Sequence, residues 1–175
     1  MATHHIMDED LVGCPPSSRF ALPVGVDYLV GHNVDYDWNV AGCPDVKRID
    51  TLALAREYYP DAGAHSLSAL LYLLDRANAR ERLRTAHSAL TDVLICRDVL
   101  AAMLRGPLAH IRSWDELWRA SEEARIPKIM PFGKHRNERI EDVPDSYKAW
   151  ALQNIADMDP YLRIALEKSL RQETP

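Results

Sequence analysis

Val26-Asp27-Tyr28-Leu29-Val30-Gly31-His32-Asn33-Val34-Asp35-Tyr36-Asp37 is the stretch on which the fold turns. The short apolar run from Val26 to Val30, closed by Gly31, predicts a strand. Asn33 is placed to cap a helix running to Ala41, with Asp35 in its first turn, near the positive end of the helix dipole. Gly42-Cys43-Pro44 then ends that helix. A strand feeding directly into an acidic helix start is where an α/β fold presents carboxylates to a metal ion or a phosphate. The plainer reading is that Asn33 only caps, and that Asp35 and Asp37 only favour the dipole.

Working outward, Ile49 to Leu54 reads as a second strand or a strand-to-helix junction, and Ala53 to Tyr59 as helical until Pro60. Ser66 predicts the cap of a helix over Leu67–Leu74. The clearest helix runs from about Ser88 to Leu104. Its apolar stripe is expected to be Ala89, Val93, Cys96, Leu100 and Met103. Gly106-Pro107 stops it. Ser113-Trp114-Asp115-Glu116 has the form of a capping box and opens a helix that ends before Pro127. A module boundary falls at about 107–127. Beyond it lie a turn-rich stretch, Pro131–Asn137, and helices over Asp145–Asn154 and Pro160–Arg171, with Pro160 at a favoured first helical position. Upstream, residues 13–25 read as a loop rich in proline, serine and glycine.

Composition narrows the function classes. Of 175 residues, 47% are hydrophobic and 27% charged, the balance of a folded globular chain and not of a disordered one. The net charge of -5 argues against a bulk electrostatic grip on nucleic acid, so any such contact must come from a local basic patch or through metal ions. Cys14, Cys43 and Cys96 have no metal-ligand or redox spacing, which suits a reducing cytoplasm. The first ten residues lack the pattern of a signal peptide, and no apolar run reaches the ~20 residues of a membrane span, so no membrane contact is expected.

Three further groups of residues could carry chemistry. In His87-Ser88-Ala89-Leu90-Thr91-Asp92 the two end residues would lie about 140° apart on one helix, so they share a site only if His87 precedes it. Asp92 is expected on or near the buried stripe, where a carboxylate needs a hydrogen bond or a cation. The His4-His5 pair hints at zinc, but no partner stands at a matching offset. The stretch Arg125–Arg139 holds Arg125, Lys128, Lys134, Arg136 and Arg139 against Glu138, a charge of +4 in an acidic chain. Phe132 and His135 add flat surfaces there. The stretch reads as a nucleic-acid contact or as a solvated turn.

Taken in order, these segments resemble the DEDDh 3′–5′ exonucleases. His32, Asn33 and Asp37 match that family's His-Asn-x-x-x-Asp segment, and His87 and Asp92 match its later His-x-x-x-x-Asp segment. The Arg48–Arg56 stretch and His65-Ser66-Leu67 look like the family's intervening segments, and Thr3-His4-His5-Ile6 resembles its His-x-Ile segment. Phe132-Gly133-Lys134-His135-Arg136, then Tyr147, Trp150 and Asp157-Met158-Asp159-Pro160, look like the tail of the family's exodeoxyribonuclease X branch. Asn137 stands where that tail usually has glycine. Asn is the residue other than glycine most tolerant of positive φ.

The resemblance implies a ribonuclease H-like α/β exonuclease fold with a small, mainly helical C-terminal module. The domains would be residues 1–109, a connecting helix over 110–126, and a module over 127–175. The implied activity is metal-dependent hydrolysis of DNA from 3′ ends, acting on single strands. Asp37 and Asp92 would be ligands of Mg²⁺ or Mn²⁺ in a two-metal site, and His87 the general base. Asn33, Lys134, Arg136 and Arg139 would contact nucleic acid. The family's opening Asp-x-Glu is not among these residues. The metal site is therefore expected to be incomplete, the activity of these 175 residues low, and the reading frame to continue upstream of Met1 into a strand bearing that motif. Asp8-Glu9-Asp10 reads as helix-start charge and not as a substitute. Two other readings remain beside the DNA exonuclease: an exoribonuclease of the same superfamily, and a non-catalytic nucleic-acid-binding module.

Overall fold

β1 (Tyr28–Gly31) and β2 (Lys47–Asp50) lie side by side in parallel, with Tyr28 opposite Lys47 and Gly31 opposite Asp50. Parallel neighbours need a crossover, and α1 (Val34–Val40) supplies it. This computed structural model describes residues 7–83 and 89–172. Among them, the chain is a mixed α/β protein whose one sheet has these two strands. Eight α-helices are described: α1, α2 (Thr51–Tyr58), α3 (Leu67–Leu74), α4 (Arg76–Leu83), α5 (Ala89–Arg105), α6 (Trp114–Ala124), α7 (Asp145–Asn154) and α8 (Pro160–Gln172). No helix among the described residues is long and apolar enough to cross a membrane.

The chain divides into two compact units, residues 1–122 and 123–175. In the first, Val34, Ile49, Leu54, Leu70, Leu71, Ile95, Val99 and Met103 form the buried interior. Ser66 caps α3 as its sequence predicts, accepting from the Ala69 N–H at 3.3 Å. Ser113 Oγ accepts from Glu116 N, but the returning Glu116 carboxylate takes the Arg112 N–H at 2.6 Å and not that of Ser113. The capping box is therefore shifted by one residue on its return arm.

Two expectations for α5 change. Cys96, Leu100 and Met103 are buried, but they share the interior face with Ile95 and Val99, while Ala89 and Val93 are exposed. Burial begins only at Ile95, so the stripe's first members lie outside the packed part of the helix. Asp92 falls in that opening segment and is exposed, not set in the apolar stripe.

The second unit packs α7 and α8 around Met130, Ile140, Val143, Ala151, Met158, Leu162, Ala165 and Leu166. Its entry is a tight loop in which Ile129 bridges Arg139, and Met130 exchanges backbone bonds with Asn137 and Glu138. Gly133 and Asn137 turn the loop with φ of 72° and 70°. Asn137 thus adopts the left-handed conformation its side chain tolerates best among non-glycine residues. Lys148 on α7 is fully buried. Its Nζ donates to Ser169 Oγ on α8 at 2.8 Å and to Asp145 Oδ1 at 3.1 Å, which satisfies a cation that burial alone would penalise.

Candidate functional site

The strand register sets the first candidate site. Gly31 and Asp50 stand opposite each other at the carboxyl ends of β1 and β2, the end of a parallel sheet at which ligands gather. Asp50 is buried. Its Oδ1 accepts from Leu52 N at 2.8 Å, capping α2, and from Asn33 N at 3.0 Å. Asn33 takes a left-handed conformation, φ 67°, and its side chain makes no cap bond. This corrects the expectation that Asn33 caps α1. The residue turns the chain instead, and Asp50 anchors its backbone. Asn and Asp tolerate this region better than other non-glycine residues, which explains why Asn serves at the turn.

Thr51, fully buried, gathers the neighbouring groups. Its hydroxyl lies 3.1 Å from the Gly31 carbonyl, 3.0 Å from His32 Nδ1 and 3.5 Å from Cys96 Sγ. His32 Nε2 lies 2.8 Å from the His65 carbonyl, to which it donates. The imidazole therefore ties the end of β1 to the loop before α3. Burial lowers its pKa below the ordinary 6.5. The unfolded chain then binds a proton more readily than the folded one. His32 therefore contributes stability above pH 6.5 that is lost as the pH falls below that value.

Asp37 lies on α1, exposed on one side but with its carboxyl backed onto β1. A Cβ at Gly31 would stand 3.1 Å from Asp37 Oδ2, so a larger residue there would need the carboxyl to shift by a few tenths of an ångström. Partial burial raises the Asp37 pKa above 3.8, its own backbone N–H offsets some of this, and the Asp50 carboxylate raises it further. The Cys96 thiol is also pushed up, first by burial and then by the charges of Asp50 and Asp37. Asp37, Asp50 and Cys96 therefore share one electrostatic neighbourhood. Asp92 stands four residues before Cys96, on the same face of α5 and one turn nearer its start. Its carboxylate is exposed, facing solvent and any ligand that solvent brings.

A raised carboxyl pKa has a defined consequence for stability. Above pH 3.8, and up to its raised value, Asp37 holds a proton more tightly in the folded chain than in the unfolded one. Stability is then lost as the pH rises through that window. Asp37→Asn is therefore expected to raise the melting temperature at pH 7 and to leave it unchanged well below pH 3.8. Thermal melts of both chains at the two pH values check this. An Asn variant less stable than the parent at pH 7 would contradict it.

His87, His4 and His5 lie outside the described residues. Asp8, Glu9 and Asp10 form the first turn of a short 3₁₀ helix, and Asp10 Oδ2 accepts from Met7 N at 2.8 Å, the helix-start role expected of them. Hard oxygen donors of the kind Asp37, Asp50 and Asp92 supply suit Mg²⁺ or Mn²⁺. Among the described residues no group of three or more His, Cys, Asp or Glu side chains is arranged to hold a metal ion. Asp50 and the Thr51 network were absent from the sequence candidates. The Asp-Thr pair before Leu52 carried a detectable signal, that of a helix cap.

The basic stretch belongs to the second unit. Lys134 Nζ lies over the Tyr147 ring, 5.4 Å from its centre. His135 meets the same ring edge-on at 4.6 Å, and its Nδ1 bonds Glu138 Oε2 at 2.8 Å. Arg139 is ion-paired with Glu141, so it is less available to a phosphate than the sequence alone suggests. Lys134 and Arg136 are exposed, and among the described residues neither has a carboxylate partner. No model of a known protein family matches the chain, no curated protein matches it, and no solved structure matches it.

Proposed function

We propose that the chain is a metal-dependent 3′–5′ exonuclease of the DEDDh kind, acting on single-stranded DNA, on a ribonuclease H-like exonuclease fold. The observation that carries this reading is the placement of Asp37. Its carboxyl sits at the carboxyl end of the parallel strands, beside the Asp50 carboxylate, where the anionic form is destabilised. A divalent cation relieves that strain more effectively than a lone proton does at neutral pH. In this reading Asp37 and Asp92 hold the metal, Asn33 helps to place the strand end, and Lys134, Arg136 and Arg139 engage the phosphate backbone. Bound Mg²⁺ or Mn²⁺ would activate water and shield the charge on the scissile phosphate. By resemblance His87 takes a proton from the attacking water, a task suited to an imidazole near neutral pH.

The test pairs binding with hydrolysis. Mn²⁺ should bind the chain weakly, and Asp37→Asn should weaken that binding about tenfold, the loss of one charged ligand worth roughly 1.4 kcal/mol. A 5′-labelled DNA strand with Mg²⁺ should shorten from its 3′ end, slowly, and EDTA should stop the reaction. The same strand made of RNA should shorten more slowly still. Faster loss of the RNA would favour the exoribonuclease. Absence of Mn²⁺ binding together with no shortening of either strand would overturn the enzymatic reading.

A further inference from the structure

Trp150 is 49% exposed, a large aromatic surface left open on α7. It is not isolated. The Tyr147 ring lies 5.4 Å from it at an interplanar angle of 35°, one turn earlier on the same helix. Tyr147 is in turn fixed from the loop side by Lys134 above its face and His135 at its edge. Gly133 makes that close approach possible, because a Cβ there would lie 2.3 Å from the Tyr147 hydroxyl. The result is a rigid aromatic pair with one ring open.

Charge points to the occupant. Of the acids in the surrounding loop and helix start, Glu141 is ion-paired with Arg139 and Asp145 with Lys148, Glu138 bonds His135, and Asp142 alone has no described ion pair. Lys134 and Arg136, in the same tight turn, carry positive charge with no carboxylate partner among the described residues. An open aromatic face beside unpaired cations is what a base and its flanking phosphates require. Bases of every sequence stack on aromatic rings, and cations track the backbone. An apolar protein segment would gain from Trp150 but not from Lys134 and Arg136.

We propose that Trp150, backed by Tyr147, with Lys134 over the Tyr147 ring and Arg136 in the same turn, is a platform on which an unpaired base of a nucleic-acid strand stacks. This rests on the reading of the substrate as a nucleic-acid strand, but not on the metal site. The test therefore uses the full chain in EDTA, so that loss of hydrolysis and loss of this platform are read separately. The probe is a fluorescein-labelled thymidine dodecamer, followed by anisotropy. Trp150→Ala should weaken binding at least about tenfold, while Trp150→Phe, which keeps a ring, should stay within about threefold. A dodecamer with abasic central positions should bind the parent chain as weakly as the intact strand binds Trp150→Ala, and should lose little more against that variant. Lys134→Ala with Arg136→Ala should lower the slope of log affinity against log salt by about 1.4, two phosphate contacts at ~0.7 each.

Circular dichroism checks that each variant folds, and the Phe variant keeps the test meaningful if the Ala variant does not. Four outcomes overturn the proposal. They are no measurable binding by the parent chain, equal affinity in Trp150→Ala, base removal and Trp150→Ala acting additively, and a Trp150 change that alters only the sedimentation of the protein. The last would mark the face as a protein contact.

Discussion

Asp50→Ala is expected to lower the stability of the first unit by about 2–5 kcal/mol. The side chain is buried and its Oδ1 accepts two backbone N–H bonds, from Leu52 and from Asn33. Loss of a helix cap costs about 0.5–2 kcal/mol, and loss of a second bond to a charged acceptor about 1.5–3 kcal/mol, with partly buried donors left unmet. The Asn33 bond has a further role. It holds a left-handed residue at the entrance to α1, and so sets where the helix that carries Asp37 begins. Urea unfolding measures the effect. Asp50→Asn keeps an oxygen in place and should cost about half as much. A loss below about 1 kcal/mol for Asp50→Ala would mean that water replaces the carboxylate, and that this anchor is dispensable.

Gly133→Ala should destabilise the second unit by about 2–4 kcal/mol. Two costs add. A non-glycine residue at φ 72° costs about 1–2 kcal/mol, and the new Cβ would stand 2.3 Å from the Tyr147 hydroxyl. That ring cannot step aside freely, because Lys134, His135 and Trp150 all pack on it. Displacing it should cost a further 1–2 kcal/mol or so. The two costs separate in a double variant. Tyr147→Phe removes the offending oxygen, and the next ring atom lies 3.6 Å from the added carbon. Gly133→Ala should therefore cost less in the Tyr147→Phe background, leaving only the backbone penalty. Thermal melts of the four chains give this directly. Equal cost in both backgrounds would show that the steric contact plays no part.

Much of the architecture was legible locally. Ser66, Pro160 and the Gly106-Pro107 stop each act on the few residues beside them, and the helix ends they mark stand within a residue or two of where the sequence puts them. At Asn137 the resemblance marked a position where glycine is usual, and the left-handed backbone there is one that asparagine tolerates. The junction of β2 and α2 was legible only as one of two readings of Ile49 to Leu54, with the helix begun at Ala53; it starts at Thr51, where Asp50 caps it through a bond that spans two residues.

What the sequence could not decide are the groupings that join distant residues. Asp50 anchors Asn33 across 17 positions, because the parallel register brings the two strand ends together. No local pattern carries that register. Asp37 acquires its raised pKa first from partial burial and then from the charge of Asp50, which is not its helical neighbour. Asp92 is exposed although its periodicity placed it by the buried stripe, because α5 is packed only from Ile95 onward. Lys148 is buried although a lysine is ordinarily solvated, because Asp145 and Ser169 meet its ammonium. Lys134, Tyr147 and Trp150 form one surface only once the loop folds back on α7. Caps, turns and periodicity are properties of four or five adjacent residues and can be read from the chain. Burial, charge coupling and shared surfaces depend on which segments pack together, and only the tertiary structure decides that.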